Sequence, residues 1–485
     1  MFQKKENILL LLSVAITGSL LVLGGWLFTK FTEPRGQTPS TSELTTPLNA
    51  SQTPASSVQE RISFGDKILV KKEELSTENS DFRAAKQRGV SAMAAENYEE
   101  ATRNFEEAME KYRNAPETLI YLNNARIGNR KSYAIAVGVP TAIVPDQALE
   151  VLRGVAQAQD EINQAGGING VPLKVAIASD DNDPEVAKTI ASALVANSEV
   201  LGVVGHVPSG ITLAAGEAYN SGKLVAISAT STSIEISGKY DWVFRTVPSD
   251  AFMAKALSEA MLNQLQQQKA AIFFNSDSSY SQSLKSEFVE EGFLKGGEIV
   301  AEFDLSDPAF SARQRVKEAT RQGAQVLMLA PTMDSLDKAL QVVTVNGKQG
   351  KQLGLLGGDT LYGGKTLEVG AEDAVGMLVA VPWHIEGDFS SDFPRVSRQL
   401  WSADVNWITA MAYDATQAFI AALKQSPTRT GIRDALLSPD FSATGATGTI
   451  RFLPSGDRNG SVQLVEIRFA APSRSGTGYD FVPIP

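Results

Sequence analysis

The residues best suited to chemistry are two clusters of small hydroxyl side chains, each of which follows a short apolar run. Ser209 follows the run 201–204, and Thr230 and Thr232 follow the run 224–227. A helix that starts after such a run presents unpaired N–H groups and the positive end of its dipole, which favour an anion. The pattern indicates a site for one small carboxylate, although each hydroxyl group could also serve only as a helix cap.

A possible partner for a positive charge lies in the segment 357–366, which contains Asp359 and Lys365. This segment resembles a phosphate-binding loop, but Asp359 stands where that loop needs a glycine, and its carboxylate would repel phosphate. Nucleotide binding is therefore not expected. At the end of a strand, Asp359 could pair with an ammonium group, or it could only stabilise a turn.

The composition excludes several classes of site. The chain has 485 residues, 43% of them apolar and 20% charged, with a net charge of −11 and no cysteine. These values are typical of a globular protein with two to four domains, and nucleic acid is not an expected partner. Thiolate chemistry is excluded. Because His206 and His384 are the only histidines, we expect no metal site, no cofactor and no catalytic residue.

Short apolar runs alternate with amphipathic helical segments, which predicts an α/β fold with parallel sheets and ligands at the carboxyl ends of the strands. The order helix, Gly-Gly, strand, Asp-Pro, helix, strand occurs twice, around 166–184 and again around 296–308. We therefore expect two α/β lobes of similar build, with a cleft that can close over a ligand. Strands are predicted at 133–139, 173–179, 201–204, 224–227, 270–274, 299–303, 326–330, 353–356 and 380–384, a long helix at 406–424, and a terminal hairpin of 448–452 with 461–469.

The N-terminal region predicts a membrane-attached segment. Residues 8–28 carry no charge and follow Lys4 and Lys5; as a helix they would span about 31 Å, the thickness of a bilayer core. We expect a signal anchor at 1–31 with its N-terminus inside, and a cleaved signal peptide is the alternative. Residues 32–57 are rich in Pro, Ser and Thr, so a linker is predicted over 32–80.

Residues 81–130 have a helical pattern. The spacing of their small and aromatic residues is typical of a tetratricopeptide repeat. One repeat with one further helix is too short for an independent solenoid, so the segment could be a spacer packed on the main domain or a protein-binding surface. The residues that carry this pattern are Gly89, Ala92, Tyr98, Ala101, Phe105 and Ala108.

Three motifs, at 205–210, 227–233 and 244–250, resemble the core of the Leu/Ile/Val-binding proteins. These are extracytoplasmic receptors of amino-acid ABC transporters with the two-lobed type I periplasmic-binding fold. The resemblance begins near Tyr133 and extends to the C-terminus. It implies one lobe formed by 131–249 with 383–440 and a second lobe formed by 250–382 with 441–485, joined by a hinge.

The same resemblance assigns roles in the cleft. Hydroxyl groups of the first lobe hold the ligand carboxylate, Asp359 pairs with the ammonium group, and Tyr280 approaches from the second lobe on closure. The loops 140–147 and 331–334 lack aromatic residues that are common in the family, so the identity of the ligand does not carry over. The predicted ligand-binding residues are Ser209, Thr230, Thr232, Asp359, Tyr280, Val207 and Pro208, together with Ala229, which replaces a frequent proline.

The expected function is that of a non-enzymatic solute-binding protein, anchored in the inner membrane by one span with most of the chain outside the cytoplasm. It would deliver a small amino acid, branched-chain or related, to an ABC permease. A membrane-tethered amino-acid sensor with a signalling partner is the alternative. A hydrolase has least support, because it needs a base near Ser209 and only His206 is close in sequence.

Overall fold

The computed structural model describes residues 58–71, 80–349, 352–387 and 391–484. The predicted anchor at 1–31 and the Pro/Ser/Thr-rich residues 32–57 lie outside these ranges. Among the helices that are described, none combines the length and the apolar character that a membrane span requires.

The first lobe is built on a sheet whose strands are parallel apart from one short edge strand. Helices follow strands along the chain, as the alternating pattern predicts. The elements in chain order are β1 (Ile62–Ser63), α1 (Ser80–Ala94), α2 (Tyr98–Lys111), α3 (Pro116–Ile127), β2 (Tyr133–Val139), α4 (Pro145–Gln164), β3 (Leu173–Ser179), α5 (Pro184–Ala196), β4 (Val200–Val204), α6 (Ser209–Ser221), β5 (Val225–Ser228) and β6 (Val243–Arg245). The strand order is β1–β3–β2–β4–β5–β6.

The second lobe is built on a sheet that mixes parallel strands with an antiparallel edge. Its elements are α7 (Asp250–Glu259), β7 (Lys269–Phe274), α8 (Ser279–Leu294), β8 (Glu298–Asp304), α9 (Ala312–Arg321), β9 (Val326–Ala330), α10 (Leu336–Gly347), β10 (Gly354–Gly357), α11 (Gly364–Gly370), β11 (Leu378–Val381), β14 (Gln463–Phe469) and β15 (Tyr479–Pro483). The strand order is β15–β14–β11–β10–β9–β7–β8. β14 and β15 are the antiparallel strands.

Between β11 and β14 the chain returns to the first lobe. It forms α12 (Phe393–Trp401), α13 (Trp407–Gln425), α14 (Arg429–Leu436), β12 (Ala443–Gly445) and β13 (Gly448–Ile450). The helix α13 packs tightly on α4, because Gly154 has no side chain: a Cβ there would lie 2.3 Å from the carbonyl oxygen of Thr409. The Tyr413 hydroxyl also donates to Glu161 Oε2 over 2.6 Å.

The predicted terminal hairpin of 448–452 with 461–469 is wrong. β13 pairs with β12 across a tight turn, in which Gly445 lies opposite Gly448. The carboxylate of Asp414 accepts the Ala446 N–H of that turn over 2.5 Å. β14 pairs instead with β11 and β15. A two-residue turn closes a ladder with the nearest segment at little entropic cost, so the local partner wins over the distant one.

Part of the predicted linker is folded. Residues 58–71 lie on the first lobe, where β1 pairs antiparallel with β3. The backbone N–H groups of Leu69 and Val70 donate to Glu117 Oε1 over 2.7 and 3.0 Å. The prediction of a linker over 32–80 fails here because the Pro/Ser/Thr-rich composition ends at 57, and the apolar residues that follow can bury their side chains.

The predicted helical segment is confirmed as α1, α2 and α3, whereas its assignment to a tetratricopeptide repeat stays a prediction. Gly89 of α1 lies against the ring of Phe105 of α2, where an added Cβ would be 2.5 Å from a ring carbon. Asn124 of α3 accepts the N–H of Val175 over 3.1 Å and donates to its carbonyl oxygen over 2.8 Å. These bonds fix α3 to β3 of the first sheet.

Candidate ligand-binding site

A cleft of about 540 Å³ lies between residues of the two lobes. This volume is within the usual range for a small-molecule site. The predicted residues that line it are Val207, Pro208, Ser209, Thr230, Tyr280 and Asp359. Thr232 and Ala229, which were also predicted, are 1% exposed and are not among the lining residues.

The two hydroxyl-bearing loops of the first lobe lie side by side, as their positions after neighbouring strands predict. β4 and β5 pair in parallel. The loop after β5 is fastened to the loop after β4, because Ser228 Oγ donates to the carbonyl oxygen of His206 over 2.8 Å. The Thr230 hydroxyl likewise donates to the carbonyl oxygen of Val207 over 2.6 Å.

Ser209 and Thr230 therefore differ in what they can offer a ligand. A hydroxyl group has one hydrogen to donate and can accept as well. Thr230 uses its hydrogen on Val207, which leaves its oxygen as an acceptor. The Ser209 hydroxyl accepts the Ser233 N–H over 3.2 Å and keeps its own hydrogen for a ligand. Ser209 is thus suited to a carboxylate and Thr230 to an ammonium group.

His206 belongs to the same loop as Ser209, and its buried ring is held by two partners. Its ring is fully buried between Asp180, whose Oδ2 lies 2.6 Å from Nδ1, and Tyr219, whose hydroxyl lies 2.8 Å from Nε2. Both ring nitrogens are occupied, so His206 has no free nitrogen with which to act as a base on Ser209. The sequence placed His206 close to Ser209 and gave no sign of these partners.

Asp359 is a buried acidic residue of the second lobe that lines the cleft, in a short 3₁₀ turn after β10. Its side chain is 6% exposed, and burial raises its pKa to about 6. The Tyr280 hydroxyl lies close enough to lower that pKa, although it makes no hydrogen bond of normal geometry. Gly358 makes this proximity possible, because a Cβ at that position would lie 2.4 Å from the Tyr280 hydroxyl oxygen.

The lobes also contact each other directly beside the cleft. The backbone N–H of Ile234, from the first lobe, donates to Ser283 Oγ of α8 over 3.0 Å. A Cβ on Gly210 would lie 3.9 Å from Ser279 Oγ of the same helix. The N-terminal part of α8 and the first-lobe loops therefore face each other at close range.

The comparison with protein families decides what this arrangement is. A model described as "Periplasmic binding protein" matches residues 142–472. The chain belongs to the periplasmic binding protein family. The members of this family are solute-binding proteins, and their two-lobed α/β architecture is the one described above.

Individual relatives of this periplasmic binding protein were found by sequence and by structure. An "Amino acid binding protein" of Pseudomonas aeruginosa is 33% identical over 27% of this chain and 35% of its own length. The "Leucine-specific-binding protein" of Salmonella typhimurium is 24% identical over 63% of this chain and 82% of its own length. An "ABC Transporter Substrate-Binding Protein" of Desulfitobacterium hafniense has 25% identity and a TM-score of 0.61, and the match covers 73% of this chain and all of that one.

Several residues in the cleft of this periplasmic binding protein were missed from the sequence. Trp407 and Ile408, which begin α13, line the cleft. Lys338 also lines it and donates to the carbonyl oxygen of Leu305 over 2.5 Å. A helix start after the cap residue Asn406 was the only signal for Trp407, and it does not indicate which way the helix faces.

Proposed function

We propose that the protein is an extracytoplasmic receptor that captures a small L-amino acid, branched-chain or related, in the interlobe cleft. An amino acid is a zwitterion, and each of its charges must receive hydrogen bonds when it leaves water. In this proposal the Ser209 hydroxyl donates to the ligand carboxylate. Asp359 and the Thr230 oxygen accept from the ammonium group, with Tyr280 closing on it from the second lobe.

The observation that carries this proposal is the division of hydrogen-bonding roles within one cleft. The Ser209 hydrogen is free to donate, whereas the Thr230 hydrogen is committed to Val207. The buried carboxyl group of Asp359 lines the same space. A donor and an acceptor on the first lobe and a carboxyl group on the second lobe match the two ends of an amino acid, and the bond to the second lobe exists only when both lobes are engaged.

The side chain of the ligand would lie against apolar residues of the first lobe. Val207, Pro208, Ile211, Trp407 and Ile408 line the cleft. Such a wall suits an aliphatic side chain. The names of the relatives, an amino acid binding protein and a leucine-specific-binding protein, point in the same direction.

We further propose that the receptor delivers its ligand to an ABC permease, as the name of the Desulfitobacterium relative suggests. The apolar run 8–28 would hold it to the membrane and residues 32–57 would act as a tether. The helices α1 to α3 would then serve as a fixed spacer, because α3 is bonded directly to Val175 of the sheet.

A thermal-shift screen tests this function. The full-length chain, purified in detergent, is heated with each of the common L-amino acids in turn. A ligand of the native state raises the midpoint by mass action, so leucine, isoleucine or valine should raise it in a concentration-dependent manner. If no amino acid changes the midpoint at millimolar concentration, the proposed ligand class is wrong.

A further inference from the structure

The folded N-terminal segment, residues 58–71, reaches the edge of the first sheet that faces the cleft. β1 runs antiparallel to β3, so the chain joins the sheet near the carboxyl end of β3. The carbonyl oxygen of Arg61 accepts the N–H of Ser179, the last residue of β3, over 2.9 Å. Cleft-lining residues follow β3, β4 and β5 at this same edge, so the N-terminal segment lies next to the loops that form the site.

Two side chains of α3 hold the N-terminal segment on the first lobe. Asn124 donates to the carbonyl oxygen of Phe64 over 2.9 Å, in addition to its bonds with Val175 of β3. Further along the segment, Glu117 accepts the backbone N–H of Val70 over 3.0 Å. Arg61 is therefore carried by backbone that is bonded both to β3 and to the helix packed on it.

The Arg61 side chain pairs with Asp181 in the loop after β3. Its Nη1 donates to Asp181 Oδ2, and Asp181 Oδ1 accepts the hydroxyl group of Ser179 over 3.2 Å. That hydroxyl group also lies 2.7 Å from Thr141 Oγ1, in the loop after β2. Both oxygens of Asp181 are thus held. The side chains of Arg61 and Asp181 are 32% and 28% exposed, so the ion pair is partly shielded from water.

The loop that Arg61 holds has an unusual backbone and contributes to the wall of the cleft. Asp181 and Asn182 have φ values of 52° and 56°. Residues other than glycine adopt this left-handed conformation infrequently, and it persists where neighbouring groups fix it. Asn182 lines the cleft, beside Pro184 at the start of α5. The bond from Arg61 to Asp181 therefore acts on the residue that immediately precedes a cleft-lining side chain.

The same loop is bonded to the loop that carries Ser209. Asp180 Oδ1 accepts the N–H of Asn182 over 3.0 Å, and its Oδ2 lies 2.6 Å from His206 Nδ1. His206 and Ser209 belong to one loop, so the carboxylate of Asp180 connects the loop after β3 to the loop after β4. A displacement of residues 180–182 would move Asn182 and the His206 ring together.

We propose that Arg61 is a positioning residue of the ligand-binding cleft. Its bond to Asp181 fixes residues 180–182, and through them the position of Asn182 and of the loop that carries Ser209. This inference rests on the proposed function and adds a residue to it that does not itself touch the ligand. The family model matches residues 142–472, so Arg61 acts on the site from a part of the chain outside that match.

Calorimetric titration of the full-length chain with L-leucine tests this role. Arg61→Met keeps an unbranched side chain but removes the charge and the donors, and it should weaken leucine binding about three- to fivefold, the scale of a partly exposed ion pair. Arg61→Lys restores a cation with donors and should bind within about twofold of wild type. The matched control is Arg126→Met, which breaks a partly exposed ion pair with Glu106 away from the cleft and should bind as wild type does.

A double-mutant cycle with Asp181→Asn shows whether the effect passes through the ion pair. In the Asp181→Asn background, Arg61→Met should change leucine affinity by less than about twofold, because its partner is already lost. The proposal is overturned if Arg61→Met binds leucine as wild type does, if Arg61→Lys loses as much affinity as Arg61→Met, or if the loss is the same in both backgrounds. Each of these results leaves the proposed function standing, whereas failure of wild type to bind leucine would count against that function alone.

Hydrogen exchange without ligand tests the positioning independently of the ligand's identity. In intact Arg61→Met, peptides that contain residues 179–183 should exchange faster than in wild type, because the bonds that hold this loop open more often. Peptides from β7 of the second lobe should exchange at the wild-type rate in this variant, and residues 179–183 should do so in Arg126→Met. Equal exchange of residues 179–183 in wild type and Arg61→Met would refute the positioning role, whatever the ligand is.

Discussion

The hydroxyl group of Thr230 donates to the carbonyl oxygen of Val207 over 2.6 Å, and this bond fixes what Thr230 can do for a ligand. The sequence predicts that Thr230 holds a carboxylate, which needs a donor. In the structure the only hydroxyl hydrogen is already used, so the oxygen can only accept. The bond also joins the two cleft loops of the first lobe, and it therefore sets the distance between Thr230 and Ser209.

We expect Thr230→Val to weaken leucine binding by about 1–3 kcal/mol, because it removes the acceptor and leaves the Val207 carbonyl oxygen without its donor. Thr230→Ser keeps the hydroxyl group and should bind within about 0.5 kcal/mol of wild type. Calorimetric titration of both variants gives the comparison. Equal leucine affinities of the valine and serine variants would show that the Thr230 hydroxyl group does not contribute to ligand binding.

The loss of affinity caused by Ser209→Ala should depend on whether the ligand carries a carboxylate. The hydroxyl hydrogen of Ser209 is free to donate, and a hydrogen bond to a charged acceptor contributes about 1.5–3 kcal/mol. The loss should be close to this value for leucine and much smaller for leucinamide, which has no carboxylate. Affinities of both ligands for both proteins form a double-mutant cycle. The same loss for the two ligands would contradict a carboxylate contact.

Lys86→Met should destabilise the first lobe by about 3–5 kcal/mol. Lys86 and Glu117 form an ion pair of 2.7 Å with both side chains fully buried, so the change leaves a buried carboxylate without its cation. The exposed pair of Arg103 with Glu99 provides the control, and Arg103→Met should cost about 0.5 kcal/mol or less. Denaturant unfolding measures both. Equal losses of unfolding free energy for the two variants would show that burial does not determine how much an ion pair contributes to stability.

His384→Gln should change how stability depends on pH. Burial and the nearby Arg474 guanidinium lower the pKa of His384 from its usual 6.5 to about 4. Between these values the unfolded chain binds a proton that the native state does not, so the free energy of unfolding falls as the pH falls from about 6.5 to about 4. The variant should lack this loss, which amounts to about 3 kcal/mol at most. Unfolding curves of both proteins at several pH values give the free energies of unfolding. The difference between the two proteins separates the contribution of His384 from that of the carboxyl groups, which both proteins share.

The strands could be predicted where burial leaves an unbroken apolar run. β2 and β3 begin and end at the predicted residues, because both strands are covered on their two faces and polar or turn residues follow them. β1 was missed because a strand of two residues has no periodicity of its own and exists only through its pairing with β3. The predicted hairpin failed because a local turn at Gly445 and Gly448 provided a nearer partner.

The site could be predicted as far as the ends of strands, and no further. Ser209 and Asp359 follow β4 and β10, so the rule that ligands bind at the carboxyl ends of parallel strands finds them. Trp407 begins a helix, and it reaches the site only through the return of the chain to the first lobe. Its direction depends on packing between distant segments, which no local pattern encodes.

The most direct test of the central claim compares leucine with 4-methylpentanoate, which is leucine without its amino group, in calorimetric titrations of wild type and Asp359→Asn. The account predicts that wild type binds leucine and binds 4-methylpentanoate at least about 30-fold more weakly, a difference of about 2 kcal/mol expected for a lost charged partner. Asp359→Asn should lose most of its affinity for leucine while its affinity for 4-methylpentanoate does not fall. Equal binding of both compounds by wild type would contradict an ammonium contact at Asp359.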